Sequence, residues 1–125
     1  MPLPKIPEVV IVDMGEHLFN YEGGNERTVS RGRIVFRTRN TGNLEHDLVI
    51  VNLPKDLPGT LLEQLRSPTR RAGRAVAHQK PRPPGSRGFF AVDLPPGRYG
   101  LLCSVQDADG QSHAIKGMAG EFKVR

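Results

Sequence analysis

Most of the chain alternates apolar and polar residues in short stretches that end in Gly, Pro, Asn or Asp, the pattern of antiparallel strands joined by tight turns. Lys5 to Met14 opens the series, and a weaker stretch from Leu18 to Tyr21 ends at the turn-forming Gly23-Gly24-Asn25. From Arg31 to Asn40 the division is clear. Ile34, Phe36 and Thr38 fall on one face and Arg33, Arg37 and Arg39 on the other, as in a strand with one wet side. Asn40 to Asn43 then turns the chain into Glu45 to Leu53, where His46, Leu48 and Ile50 share one face and Asp47, Val49 and Val51 the other. Both faces are largely apolar, so this strand is expected to be buried on both sides.

Pro58 to Leu65 breaks the alternation. Thr60 and Glu63 have capping-box spacing, and Leu61, Leu62 and Leu65 form a one-sided stripe, which predicts a short helix. From Ser67 to Arg87 periodicity gives way to Pro, Gly and Arg, which reads as a long surface loop. Order returns in Gly88 to Leu94, with Phe90, Val92 and Leu94 alternating, and Pro95-Pro96-Gly97 turns into Arg98 to Val105, where Tyr99, Leu101 and Cys103 point one way. In the last stretch, Ala119 to Arg125, Phe122 and Val124 face inward and Glu121, Lys123 and Arg125 outward. Strands at this spacing with one helical excursion predict an all-β, Greek-key β-sandwich of two sheets, with a short helix near 58–65.

With 125 residues the whole of 1–125 is read as a single domain around one core, with 66–87 as a basic loop insertion. The longest apolar runs, such as Val9 to Val12, are too short to span a bilayer, and Met1 to Pro7 carries prolines where a secretory leader needs an apolar stretch. The net charge of +5 is concentrated: Arg66 to Gly88 contains Arg66, Arg70, Arg71, Arg74, Lys80, Arg82 and Arg87 and no Asp or Glu. Such a segment suits an acidic protein partner, with Arg70, Arg71 and Arg74 as candidate docking residues. It holds no aromatic residue before Phe89, so base stacking is unsupported and nucleic acid is not the expected partner. A single cysteine, Cys103, excludes an intrachain disulfide.

The informative stretch runs from Cys103 to Met118: a thiol at a strand end, a loop, His113, then Met118 before the last strand. With His46 from a remote strand this assembles Cys, two His and Met. An ion cycling between Cu(II) and Cu(I) favours such a mixture of thiolate, imidazoles and a weak thioether. His46 has the parity of Leu48 and Ile50, and Cys103 that of Tyr99 and Leu101, so both are expected to face the core. Zinc would leave Met118 idle. A Cys103–His113 nucleophile pair is the enzymatic alternative, but nothing supplies an oxyanion hole. His17 and His78 have no partner spacing and are expected to face solvent.

The segments Asn40 to Asp47 and Pro96 to Cys103, the latter continuing through His113 and Met118 to Val124, resemble those of the cupredoxins, the blue copper proteins. The resemblance implies a one-electron carrier with one Cu(I)/Cu(II) ion held by His46, Cys103, His113 and Met118, and not an enzyme. It also implies that Asp47 bonds toward Ser104 and ties the two ligand-bearing strands together. A redox protein partner, a monomeric state and an extracytoplasmic, periplasmic or secreted home follow from the same resemblance. The alternative within the fold is a copper carrier, sensor or accessory module. Ser104 to Ser112 is longer than the corresponding segment of the small electron carriers and adds Asp107 and Asp109 near the expected histidine portal.

Overall fold

The computed structural model describes residues 7–67 and 73–125. Nine strands are found among them: β1 (Glu8–Gly15), β2 (Leu18–Asn20), β3 (Thr28–Val29), β4 (Gly32–Asn40), β5 (His46–Leu53), β6 (Arg74–Arg82), β7 (Arg87–Leu94), β8 (Gly97–Leu102) and β9 (Ala119–Val124). One α-helix, α1 (Leu61–Arg66), and a 3-10 turn at Gly24–Glu26 interrupt them. They form a four-stranded sheet in the order β2-β1-β4-β7 and a five-stranded sheet in the order β3-β9-β8-β5-β6. Two pairings, β1 with β4 and β3 with β9, are parallel, and the others are antiparallel.

The alternation read from the sequence sets the core. Val10, Val12 and Met14 of β1 and Ile34 and Phe36 of β4 are buried, and they face Leu48, Ile50, Tyr99, Leu101, Phe122 and Val124 of the second sheet. Phe36 stacks on Phe90 at 5.2 Å and meets Phe122 edge-on at 5.7 Å, and Phe122 stacks on Tyr99 at 5.5 Å. Aromatic pairs at such separations add about 0.5–1.5 kcal/mol each beyond area burial. Cys103 and Met118 belong to this same buried cluster. The strand β5 is covered on both faces, because Val51 and Leu53 pack with Leu57 and Leu61 into a smaller cluster beneath α1.

The helix forms where expected. Thr60 caps it, its Oγ1 accepting from the Glu63 amide at 3.1 Å. Its other anchor is Glu121, which is buried rather than facing outward. Glu121 accepts from the Leu61 amide at 2.8 Å and from Arg98 Nε at 2.7 Å, while Arg98 also donates to the carbonyls of Leu57 and Gly59 at 2.7 and 2.6 Å. The outer face of β9 was read as wet because the sequence does not show that α1 folds back over it.

The larger correction concerns 66–87. Arg66 closes α1, and Arg74–Arg82 is a strand that pairs antiparallel with β5, from Asn52 opposite Arg74 to His46 opposite Arg82. This edge strand gave no periodic signal because Gln79 is its only buried residue and its register shifts between His46/Leu48 and between Ile50/Val51. Pro81, Lys80 and Arg82 on an exposed edge are the residues that discourage further pairing. Thr38 Oγ1 donates to Gln79 Oε1 at 2.8 Å and so pins the edge to the opposite sheet.

Replacing Glu121 with Ala leaves the Leu61 amide without its acceptor and the Arg98 guanidinium without its carboxylate. It should lower unfolding free energy in urea by about 1–3 kcal/mol. A loss below about 0.5 kcal/mol would show that α1 is held by its leucines alone.

Candidate metal centre

Three side chains meet at one end of the sandwich. His46 opens β5, directly after the turn at 41–45. Asn40 fixes that turn: its Nδ2 donates to the carbonyls of Leu44 and Arg82, both at 2.9 Å, and its Oδ1 accepts from the Gly42 amide at 3.0 Å. Cys103 follows the last residue of β8, and His113 returns on the loop that leads to β9. That loop is itself ordered by backbone bonds. Cys103 N donates to Met118 O, His113 N to Val105 O and Ala114 N to Cys103 O, at 3.1, 2.8 and 3.0 Å, and Asp107 and Gln111 close the hairpin at 2.9 Å.

The result is a triangle. His46 Nδ1 lies 3.1 Å from His113 Nδ1, and Cys103 Sγ lies 3.9 Å from His46 Nδ1 and 3.6 Å from His113 Nδ1. All three residues are completely buried. Donors bound at about 2.0–2.3 Å to a common ion stand about 3–4 Å apart, so the triangle has the size of a single transition-metal site. Met118 is also fully buried, and its amide donates to His113 O at 2.9 Å.

The environment of each donor fits this reading. Burial pushes the Cys103 thiol up to about 12, although the backbone amides of Asp47 and Val105 favour the thiolate. Burial, and then the neighbouring His113, holds His46 below the usual imidazole value, so it is neutral and able to donate a lone pair. His113 Nε2 donates to Asp107 Oδ1 at 2.7 Å. A carboxylate only accepts, so Nε2 carries the hydrogen and the Nδ1 lone pair of the neutral ring is left inside the triangle. Lys116, and then His113, holds the Asp107 carboxyl well below the usual carboxylate range.

The buried Asp47 joins the two ligand-bearing strands. Its Oδ1 accepts from the Ser104 amide at 2.7 Å, and its Oδ2 accepts from the Ser104 hydroxyl and from His78 Nε2, the latter at 2.9 Å. Arg74 is exposed at the far end of β6 from the residue that pairs with His46, while Arg70 and Arg71 lie outside the described residues.

Of the two histidines expected to face solvent, His78 is exposed and His17 partly so, but both are also engaged by carboxylates. His78 reaches Asp47 from β6, the strand the sequence did not reveal. His17 sits at the tip of the β1–β2 hairpin with φ +56°, bonds Asp107 Oδ2 at 3.3 Å and sets its ring edge-on to His113 at 5.0 Å. Glu16 beside it was not singled out either. Neither has a spacing signal, because the hairpin reaches the site only through the packing of the two sheets. His17, Asp107 and His113 are close enough to hold a cation. The Lys116 ammonium is 2.6 Å from Asp107 Oδ2, however, so the carboxylate is already paired with a cation and the group is a hydrogen-bonded cap.

Solved structures share this fold. Auracyanin from Roseiflexus castenholzii superposes with a TM-score of 0.67 at 24% identity, over 97% of this chain and 99% of that one. Auracyanin A from Chloroflexus aurantiacus, a "blue" copper protein, gives 0.60 at 18%, over 94% and 99%. Reduced rusticyanin gives 0.60 at 17%, over 97% and 82%. The chain therefore has the cupredoxin fold. No protein-family model and no curated protein sequence matches it.

With the thiol held up to about 12, the metal-free site carries that proton at neutral pH, and an incoming ion must displace it. Binding of Zn(II), a redox-inert reporter, should release about one proton per ion at pH 7 from the thiol, and apparent affinity should rise about tenfold per pH unit between pH 7 and 9. Indicator-dye titration in weak buffer measures both. An affinity that does not change with pH would mean that the sulfur is not a ligand.

Proposed function

We propose that this chain is a mononuclear copper protein that carries one electron at a time. The observation that supports the reading most directly is the buried His46, Cys103, His113 triangle at the end of a cupredoxin sandwich. In this reading Cys103 would bind as thiolate, His46 and His113 through Nδ1, and Met118 would be a weak thioether donor. When bound, copper supplies the Cu(II)/Cu(I) couple. The protein's part is to hold the donors in nearly one arrangement for both states and to exclude water.

The residues achieve this through burial and anchoring. Cys103 is fixed by its amide on Met118 O and by its carbonyl, which accepts from the Ala114 amide, His46 by the Asn40-braced turn, and His113 by Asp107. Asp47, bonded to both the amide and the hydroxyl of Ser104, keeps the His46 and Cys103 strands in register and links them to His78. The blue colour of auracyanin A, which shares the fold, accords with this assignment. Cys103 is too deeply buried and too firmly protonated in the metal-free site to be an activated nucleophile, so we assign no catalytic residue.

The proposed partner is a redox protein with an acidic face that meets the basic side chains of β6 and the adjoining 66–73 segment. Arg74, Lys80 and Arg82 are exposed there, and Arg70 and Arg71 belong to the same basic stretch. An extracytoplasmic setting accompanies the electron-carrier reading. Among the described residues no helix is long and apolar enough to cross a membrane.

Addition of Cu(II) to the metal-free protein should produce an intense visible thiolate-to-copper absorption at one equivalent, and Cys103→Ser should abolish it while leaving the far-UV spectrum unchanged. A colourless wild-type protein that binds Cu(I) tightly would overturn the electron-carrier reading in favour of a copper carrier or sensor.

A further inference from the structure

Each imidazole of the triangle has a second nitrogen, and each of these faces a carboxylate. His113 Nε2 donates to Asp107 Oδ1 at 2.7 Å. His46 Nε2 is buried without a hydrogen-bond partner among the described residues, and the nearest anionic atom is Glu16 Oε1 at 3.9 Å. The Glu16 carboxylate is itself fixed by the backbone amides of Asn43 and Leu44. Gly42 makes the juxtaposition possible. A Cβ there would lie 2.2 Å from Glu16 Oε1 and 3.0 Å from His46 Nε2, so any side chain would separate the two.

The hairpin that carries Glu16 is seated firmly enough for the placement to matter. The His17 carbonyl approaches Gly117 so closely that a Cβ at 117 would stand 2.5 Å from it, and Gly117 has φ +133°. His17 covers the outer edge of His113 and shares Asp107 with it. No edge of His113 is left exposed, and the residues that a partner meets above it are His17, Asp107 and Lys116.

We propose that Glu16 and Asp107 are paired positioning residues, one carboxylate for each metal-binding imidazole, which fix Nε2–H on both rings and favour the oxidised ion by their charge. The proposal rests on the copper reading for its redox consequence, but its structural half concerns only the two rings. The contact of 3.1 Å between the two Nδ1 atoms suits a metal-free state in which His46 Nδ1–H donates to His113 Nδ1. An ion that takes both Nδ1 lone pairs moves the His46 hydrogen to Nε2, which faces the Glu16 carboxylate 3.9 Å away. An acceptor on the outer nitrogen raises the basicity of the inner one. Two nearby negative charges stabilise Cu(II) more than Cu(I), whereas the Lys116 ammonium acts in the opposite sense.

Two measurements test this. In 15N spectra, the metal-free protein should show His113 as the Nε2–H tautomer, and the Zn(II)-loaded protein should show Nε2–H on both His46 and His113. Metal bound through Nε2 of either ring would overturn the proposal. The second is the reduction potential of the copper-loaded protein at fixed pH in wild type, Glu16→Gln, Asp107→Asn and Lys116→Gln. Each carboxamide should lower the preference for Cu(II) over Cu(I) about tenfold, a rise of about 59 mV, and Lys116→Gln should shift the potential downward. A merely structural role would not give opposite signs for neighbouring residues. Both carboxamides within about threefold of wild type, with copper still bound, would overturn the electrostatic half. A wild-type protein that stays colourless with Cu(II) defeats the copper reading instead; the positioning role is then tested by the Nε2–H proton shift of each Zn(II)-loaded ring, which should move in the matching carboxamide variant and whose constancy would overturn it.

Discussion

Two imidazole nitrogens and a thiol sulfur stand 3.1 to 3.9 Å apart in a part of the core that solvent does not reach. Polar groups removed from water need partners, and these three have principally one another. Such a cluster is a poor way to stabilise a metal-free core, where leucines of the same volume would serve better. It is a good way to prepare donors for an ion that replaces their lost hydration. The rest of the molecule is arranged around this constraint, because donors from strands far apart in sequence converge only if both sheets hold their register.

The register is held by polar anchors placed just behind the donors. Asn40 braces the turn before His46, Asp47 binds Ser104 after Cys103, and Asp107 binds His113. Each anchor is a side chain on one segment bonded to the backbone or ring of another, so the anchors convert sheet packing into donor geometry. The β1–β2 hairpin adds a cap that carries charge. A partner approaching this end meets His17, Asp107 and Lys116, where a bare imidazole edge would otherwise be presented.

The sequence was most legible where one face of a strand is buried and the other wet. The alternation in β4 and β7 led directly to strands with one buried face, the parity of Tyr99 and Leu101 put Cys103 in the core, and the Thr60–Glu63 spacing gave α1. The edge strand β6 was illegible because an edge defended by Lys, Pro and Arg looks like a loop. The candidate site was legible as far as ligand types and strand parity carry, which brought His46, Cys103, His113 and Met118 into one group. Glu16, His17 and His78 were not, since each enters from a hairpin or edge whose position depends on the whole sandwich. Asp107 lay between, visible as a carboxylate in the long loop but not as the partner of His113.

The central claim is that one ion sits among His46, Cys103 and His113. X-ray absorption at the copper edge of the loaded protein measures this directly. The account predicts one short sulfur contact together with two imidazole nitrogens in the inner coordination of a single class of copper. Coordination by nitrogen and oxygen alone, with no sulfur, would contradict it.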